Sequence, residues 1–116
     1  MLSAGHRLER LADQIRMEVA EMLEGELKDP RIGFATVIRV ELSPDLRHGR
    51  VLVSVMGGEE AQRATMSGLH SATGYVRREV SRRLRLRYAP DLVFVLDRSH
   101  AQSERIERLL HNLKKE

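Results

Sequence analysis

The sequence contains no cysteine, which rules out a disulfide framework and a thiolate metal site and suits a reducing, intracellular compartment. Its apolar runs are strand-sized, far short of a membrane span, and Met1 begins no recognisable signal peptide. A cytoplasmic protein without membrane association is therefore expected. No G-x-x-x-x-G-K-[ST] loop is present, Gly57-Gly58 lacks a following lysine, and no G-x-S-x-G elbow occurs. The histidines (His6, His48, His70, His100, His111) are scattered, with no spacing that would put two on one helix face to hold a metal. Carboxylates line the first helix, but at helical spacing they read as its wet face. Nothing assembles a catalytic site, so the chain is expected to be no enzyme and to need no cofactor, metal or small-molecule substrate. Lysine is also scarce. Of 20 basic residues only Lys28, Lys114 and Lys115 are lysines. The rest are arginines, whose planar fork suits phosphate and base edges better than an ammonium does.

With 116 residues, 41% of them hydrophobic and 32% charged, the chain reads as one domain, residues 1–116, with one core and a C-terminal helix over 98–116. The net charge is only +3, yet it is unevenly placed. Glu18, Glu21, Glu24, Glu26 and Asp29 crowd one stretch, and arginines crowd residues 77–87. Such a dipolar chain suggests a polyanionic partner on one side.

In chain order, Leu8, Leu11, Ile15, Val19, Met22 or Leu23, and Leu27 repeat at helical spacing and predict an amphipathic helix over 6–27. Asp29-Pro-Arg-Ile-Gly33 ends it. Residues 34–42 alternate as a half-buried strand, with Thr36, Ile38, Val40 and Leu42 on one face and Val37, Arg39 and Glu41 on the other. Ser43-Pro44-Asp45 suits a type I turn. Val51, Val53 and Val55 then alternate in a second, antiparallel strand, with Gly49 a candidate bulge. Gly57-Gly58 closes it, and Glu59 and Glu60 suit the positive end of a new helix. Leu69, Ala72 or Thr73, Val76, Val80 and Leu84 continue a helical stripe, but Ser71-Ala72-Thr73-Gly74 should weaken it. Two helices meeting at a kink are expected, the second running to about Arg87 before Pro90. Leu92-Val-Phe-Val-Leu96 is apolar on both faces and predicts a buried third strand. Ser99 with Gln102 forms a capping box for a last helix carrying Ile106, Leu109, Leu110 and Leu113. The sum is a two-layer α+β domain, helices on one face of a small three-stranded mixed sheet, in the order α-β-β-α-kink-α-β plus a C-terminal helix.

The kinked helix carries Arg77, Arg78, Arg82, Arg83, Arg85 and Arg87, opposed within it only by Glu79. Spacings of four and three would put Arg78, Arg82 and Arg85 on one face. One reading is a solvated face laced with salt bridges, in which Glu79 serves Arg82 and Arg83 and the acidic first helix supplies the rest. The other is a patch that tracks a phosphate backbone, extended by Arg47, His48 and Arg50 in the hairpin and by Arg7, Arg10 and Arg16 in the first helix. Aromatics make up only 3% of the chain, too little for a base-stacking sheet, and the strands are misplaced for a helix-turn-helix. A helix-kink-helix on a three-stranded sheet points instead to a K homology (KH) type of RNA-binding fold. Ala72-Thr73-Gly74 lacks the first glycine of that fold's G-x-x-G loop.

Five stretches in this order and spacing resemble the bacterial ribosome-binding factor A family. They are Asp29-Pro-Arg-Ile-Gly33, Val40-Glu-Leu-Ser-Pro-Asp-Leu-Arg-His48, Ser71-Ala-Thr-Gly74, Arg82-Arg-Leu-Arg-Leu-Arg-Tyr88 and Pro90-Asp-Leu-Val-Phe-Val-Leu-Asp97. The resemblance implies a type II KH-like domain whose glycine-rich loop is replaced by an Ala-x-Gly kink, matched here by Ala72 and Gly74 around Thr73. It implies a non-catalytic, monomeric assembly factor for the immature small (30S) ribosomal subunit and its 16S rRNA, supporting late maturation and 5′-end processing, above all in the cold. Arg77, Arg78, Arg82, Arg83, Arg85 and Arg87 are then the expected phosphate contacts, with Arg47 and Arg50 behind them. The competing function is a protein-interaction module working through the acidic first helix. A hidden nuclease would need a carboxylate cluster that the sequence does not offer.

Overall fold

The computed structural model of the chain describes residues 4–98 and 108–113. Within them the elements are α1 (Ala4–Gly25), β1 (Ala35–Leu42), β2 (His48–Val55), α2 (Glu59–Arg83) and β3 (Asp91–Leu96), with a helical stretch α3 at 108–113. The sheet order is β1-β2-β3, with β1 antiparallel and β3 parallel to β2. A parallel neighbour requires a crossover, and α2 supplies it. The fold is therefore α+β with a three-stranded mixed sheet, as expected. Ile15, Val19 and Met22 of α1 recur at helical spacing and meet Leu69, Val76 and Val80 of α2 over Val37, Val40, Val51, Val53, Leu92 and Phe94 of the sheet. Both helices thus cover one face. The proposed capping pair Ser99 and Gln102, and Ile106, lie outside the described residues. Leu109, Leu110 and Leu113 of α3 are exposed.

Three expectations need correction. In β1 the pairing slips between Val37 and Arg39: Val37 faces Val53, Val40 faces Val51, and Ile38 has no partner. The bulge is therefore at Ile38, whereas Gly49 pairs regularly with Leu42. An extra residue resets the two-residue alternation, so Val37 and Val40 are both buried while Ile38 turns outward. Second, β3 is a sheet edge and is buried on one face only. Leu92 and Phe94 point into the core, but Val93 is 49% exposed, because no helix covers the opposite face among the described residues. Third, the two helices expected around Ala72-Thr73-Gly74 are one continuous 25-residue helix. The Thr73 hydroxyl donates to the Leu69 carbonyl at 3.1 Å, so its competing hydrogen bond is made inside the helix, an arrangement that favours bending over breaking. Packing of Leu69, Val76 and Val80 on both sides of the weak point outweighs its poor propensity.

Asp29-Pro-Arg-Ile-Gly33 does more than end α1. The Asp29 carboxylate accepts from the backbone N–H of Arg31 at 2.9 Å and from its guanidinium at 2.6 Å. Those bonds hold its carboxyl below the usual carboxylate range. The loop then docks on α2, where the buried Thr65 hydroxyl accepts from the Gly33 N–H at 3.0 Å and Ile32 lies over Gly68. A Cβ at Gly68 would sit 2.6 Å from the Ile32 Cγ1. Gly68→Ala should gain about 1 kcal/mol of helix propensity but lose more to that overlap. A net destabilisation of about 1–2 kcal/mol, read by urea unfolding at an unchanged slope, is expected.

Candidate nucleic-acid interface

The arginine-rich stretch does not lie on one helix. α2 ends at Arg83 with Leu84 as its cap residue, and Arg85 has φ of 53°, the left-handed conformation. The Arg85 N–H donates to the Arg82 carbonyl at 3.3 Å and the Leu86 N–H to the Ser81 carbonyl at 2.9 Å. This is the paired closure of a Schellman motif, whose left-handed position usually holds glycine. The expected run to Arg87 stops four residues early because the backbone reverses at Arg85. That residue therefore leaves the face that helical spacing had assigned to it with Arg78 and Arg82. Arg85→Gly should stabilise the fold by about 1 kcal/mol by removing a Cβ from this conformation. A rise in the thermal unfolding midpoint, absent for Arg85→Ala, is the result that checks it.

The remaining arginines divide by partner. Arg83 is tied inside the protein: its guanidinium lies 2.5 Å from Glu26, 3.2 Å from Glu79 and 3.5 Å from Glu18. Its side chain is only 20% exposed. The Tyr75 hydroxyl donates to the same Glu26 carboxylate at 2.8 Å. The Arg83 and Tyr75 bonds pull the Glu26 carboxyl below its ordinary value, and the Tyr75 phenol is correspondingly raised. Arg77 clamps the segment between α2 and β3. Its Nε donates to the Pro90 carbonyl at 3.0 Å, and its Nη2 lies 3.0 Å from an Asp91 carboxylate oxygen. Arg82 pairs with Glu79 at 2.8 Å, Arg16 with Asp13 at 2.9 Å, and Arg50 with Glu41 across the strands. Arg78, Arg85, Arg87 and Arg47 have no carboxylate partner among the described residues.

Two of those four, Arg47 and Arg87, come together. Leu11 of α1, Leu42 with Asp45, Leu46, Arg47 and His48 of the β1–β2 turn, and residues 86–91 line one groove. Arg47 and Arg87 are in its wall and Arg85 immediately precedes it, while Arg7 and Arg10 occupy the turn of α1 before Leu11. Turn chemistry fixes the hairpin side. The Ser43 hydroxyl donates to Asp45 at 2.6 Å and accepts from the His48 N–H at 3.0 Å, and Asp45 accepts from the Arg47 N–H at 3.0 Å. Arg78 stands apart on the exposed face of α2 beside Gly74, where a Cβ would meet only its Nη1 at 3.4 Å. Sequence reasoning grouped Arg83 with the other arginines of its stretch, whereas the structure pairs it with Glu18, Glu26 and Glu79. The missing information was which guanidinium each carboxylate takes. Glu18 and Glu26 turn inward to Arg83, which also leaves less of the acidic first helix free for a protein partner. No helix in the described residues is long and apolar enough to cross a membrane, and no group of residues there could hold a metal.

Comparison with known proteins places this geometry. The family model described as Ribosome-binding factor A matches residues 7–110. A ribosome-binding factor A of Heliobacterium modesticaldum is 50% identical over 107 residues, covering 92% of this chain and 88% of that protein. The crystal structure of ribosome-binding factor A from Thermus thermophilus superposes with a TM-score of 0.69 at 29% identity, covering 79% of this chain and 98% of that one. A Thermus thermophilus homology model fitted into a cryo-EM map of a complex with the 30S subunit gives a TM-score of 0.65 at 31% identity, covering 78% of this chain and 96% of that one. The chain belongs to the ribosome-binding factor A family.

Proposed function

We propose that this protein binds the immature small ribosomal subunit through its 16S rRNA and acts there as a non-catalytic, monomeric assembly factor in the cytoplasm. On this reading it supports late maturation and 5′-end processing of the rRNA, with its largest effect in the cold. The observation that carries the proposal is that Arg47, Arg85 and Arg87 have no carboxylate partner among the described residues, in a family whose Thermus member has been fitted into a 30S complex. Unpaired guanidiniums are free to form bidentate phosphate contacts, and such contacts position a protein on RNA without reading its sequence. Arg78, Arg82 and Arg50 extend the surface, whereas Arg77 and Arg83 contribute by holding the segments that carry it. The test is co-sedimentation of the purified protein with small and with large ribosomal subunits at rising salt. Binding to the small subunit alone, falling steeply with ionic strength, is the expected result. Equal binding to both, or none, would overturn the proposal.

The Ala72-Thr73-Gly74 segment enters this reading as a pliant point in α2. Gly74 is exposed and an added Cβ has room, so the helix tolerates a glycine that costs about 1 kcal/mol relative to alanine. Gly74→Ala is expected to raise stability by about 1 kcal/mol and to weaken subunit binding several-fold. Unchanged binding would reduce Gly74 to a neutral helix position.

A further inference from the structure

The groove between the β1–β2 turn and the segment after α2 holds more than charge. Tyr88 is 76% exposed, and the Arg87 guanidinium lies over its ring, 5.7 Å from the centroid. One ring face is thus backed by a cation and the other is open. The groove measures about 720 Å³, inside the range of about 300–1,000 Å³ typical of small-ligand sites. Leu11, Leu42 and Leu86 give it an apolar floor, and Arg47 and His48 stand on the wall formed by the hairpin. The two carboxylates in its lining are occupied. Asp45 accepts from the Ser43 hydroxyl and the Arg47 N–H, and Asp91 is paired with Arg77 at 3.0 Å and has His48 Nδ1 3.9 Å away.

We infer that this groove takes a single unpaired nucleotide of the bound RNA, its base stacked on Tyr88 and its phosphates held by Arg47 and Arg87. A base offers a flat π-face to the ring, and its flanking phosphates meet guanidiniums that form no ion pair among the described residues. Phe34 is as exposed as Tyr88, but among the described residues it is the Tyr88 ring that has a guanidinium over it, and stacking on that ring tolerates any base. The contact complements a phosphate-tracking surface, which alone would let the RNA slide. This inference rests on the RNA-binding reading above, and its test is chosen to tell the two apart.

Tyrosine-labelled protein is titrated with hexaadenylate and, separately, with inorganic polyphosphate of similar charge, while the ring resonances of Tyr75 and Tyr88 are followed by NMR. Stacking should move the Tyr88 ring protons upfield with hexaadenylate and not with polyphosphate. Tyr75, whose hydroxyl is bonded to Glu26, should stay in place under both. Tyr88→Ala should weaken hexaadenylate binding about tenfold, and Tyr88→Phe should restore it. Hexaadenylate that binds Tyr88→Ala as well as wild type, or leaves the Tyr88 ring unshifted while small subunits still co-sediment, overturns the stacking site and leaves subunit binding standing. Failure to bind hexaadenylate and small subunits alike overturns both.

Discussion

Replacing Arg47, Arg85 and Arg87 together by glutamate is expected to reduce binding to small ribosomal subunits by at least about 100-fold at moderate salt. The same charge change at Arg39, Arg50 and Arg82 should cost far less. All six side chains are exposed, so neither variant should unfold, and circular dichroism with thermal melting would verify that. What separates the sets is the partner. Arg39 and Arg50 share Glu41, and Arg82 holds Glu79. A guanidinium already paired with a carboxylate presents little net charge to a phosphate and must give up one partner to take another. The first set has no such partner among the described residues. Each lost phosphate contact lowers the slope of log K against log salt by about 0.7–0.9, so the first variant should also bind with a slope shallower by about 2. If both variants lose affinity equally, net charge governs binding and the groove end holds no special place.

Elements that follow from side-chain period and turn chemistry are legible in this sequence. The stripe Ile15, Val19, Met22 and the alternation Val51, Val53, Val55 placed α1 and β2 with their buried faces correctly oriented. The turn at Ser43-Pro44-Asp45 was readable because a serine hydroxyl and an aspartate carboxylate bond local N–H groups wherever they meet them. Failures arose where a non-local contact overrode a local rule. Nothing in Val37-Ile-Arg39 announces an unpaired Ile38; the slip is a property of two strands, not of one. Arg85 has an unfavourable residue type for its φ of 53°, and a rule that looks for glycine at a helix end passes over it. The weak Ala72-Thr73-Gly74 segment remained helical because buried neighbours on either side hold it. The same limit applies to the interface. A cluster of arginines is visible in sequence, whereas the pairing that neutralises Arg83 and spares Arg87 exists only once α1 lies across α2.

That pairing makes Arg83 the side chain whose loss should most disturb the fold. Arg83→Met leaves Glu18, Glu26 and Glu79, now without their shared cation, close together between α1 and α2. Removing one partner of a half-buried cluster costs more than the cluster contributes when intact, because like charges are left facing one another. At neutral pH the variant should melt lower by roughly 5 °C or more. The pH dependence identifies the cause. The Glu26 carboxyl is held below its ordinary value chiefly by the Arg83 hydrogen bond, and Glu79 is lowered chiefly by Arg82 and also by Arg83. A carboxyl whose folded pKa is depressed contributes stability that is present above its unfolded value and lost as pH falls through the folded one. Wild-type Tm should therefore drop as pH falls below about 4.5, whereas Arg83→Met, in which Glu26 has lost the chief bond that lowers it, should follow a flatter curve. The two curves converge in acid and separate toward neutral pH. Tyr75→Phe removes one donor to Glu26 but leaves Arg83 in place, so it should shift the curve in the same sense by less. A constant offset between wild type and Arg83→Met at every pH would mean that the arginine acts through packing of its stem between the helices and not through its charge.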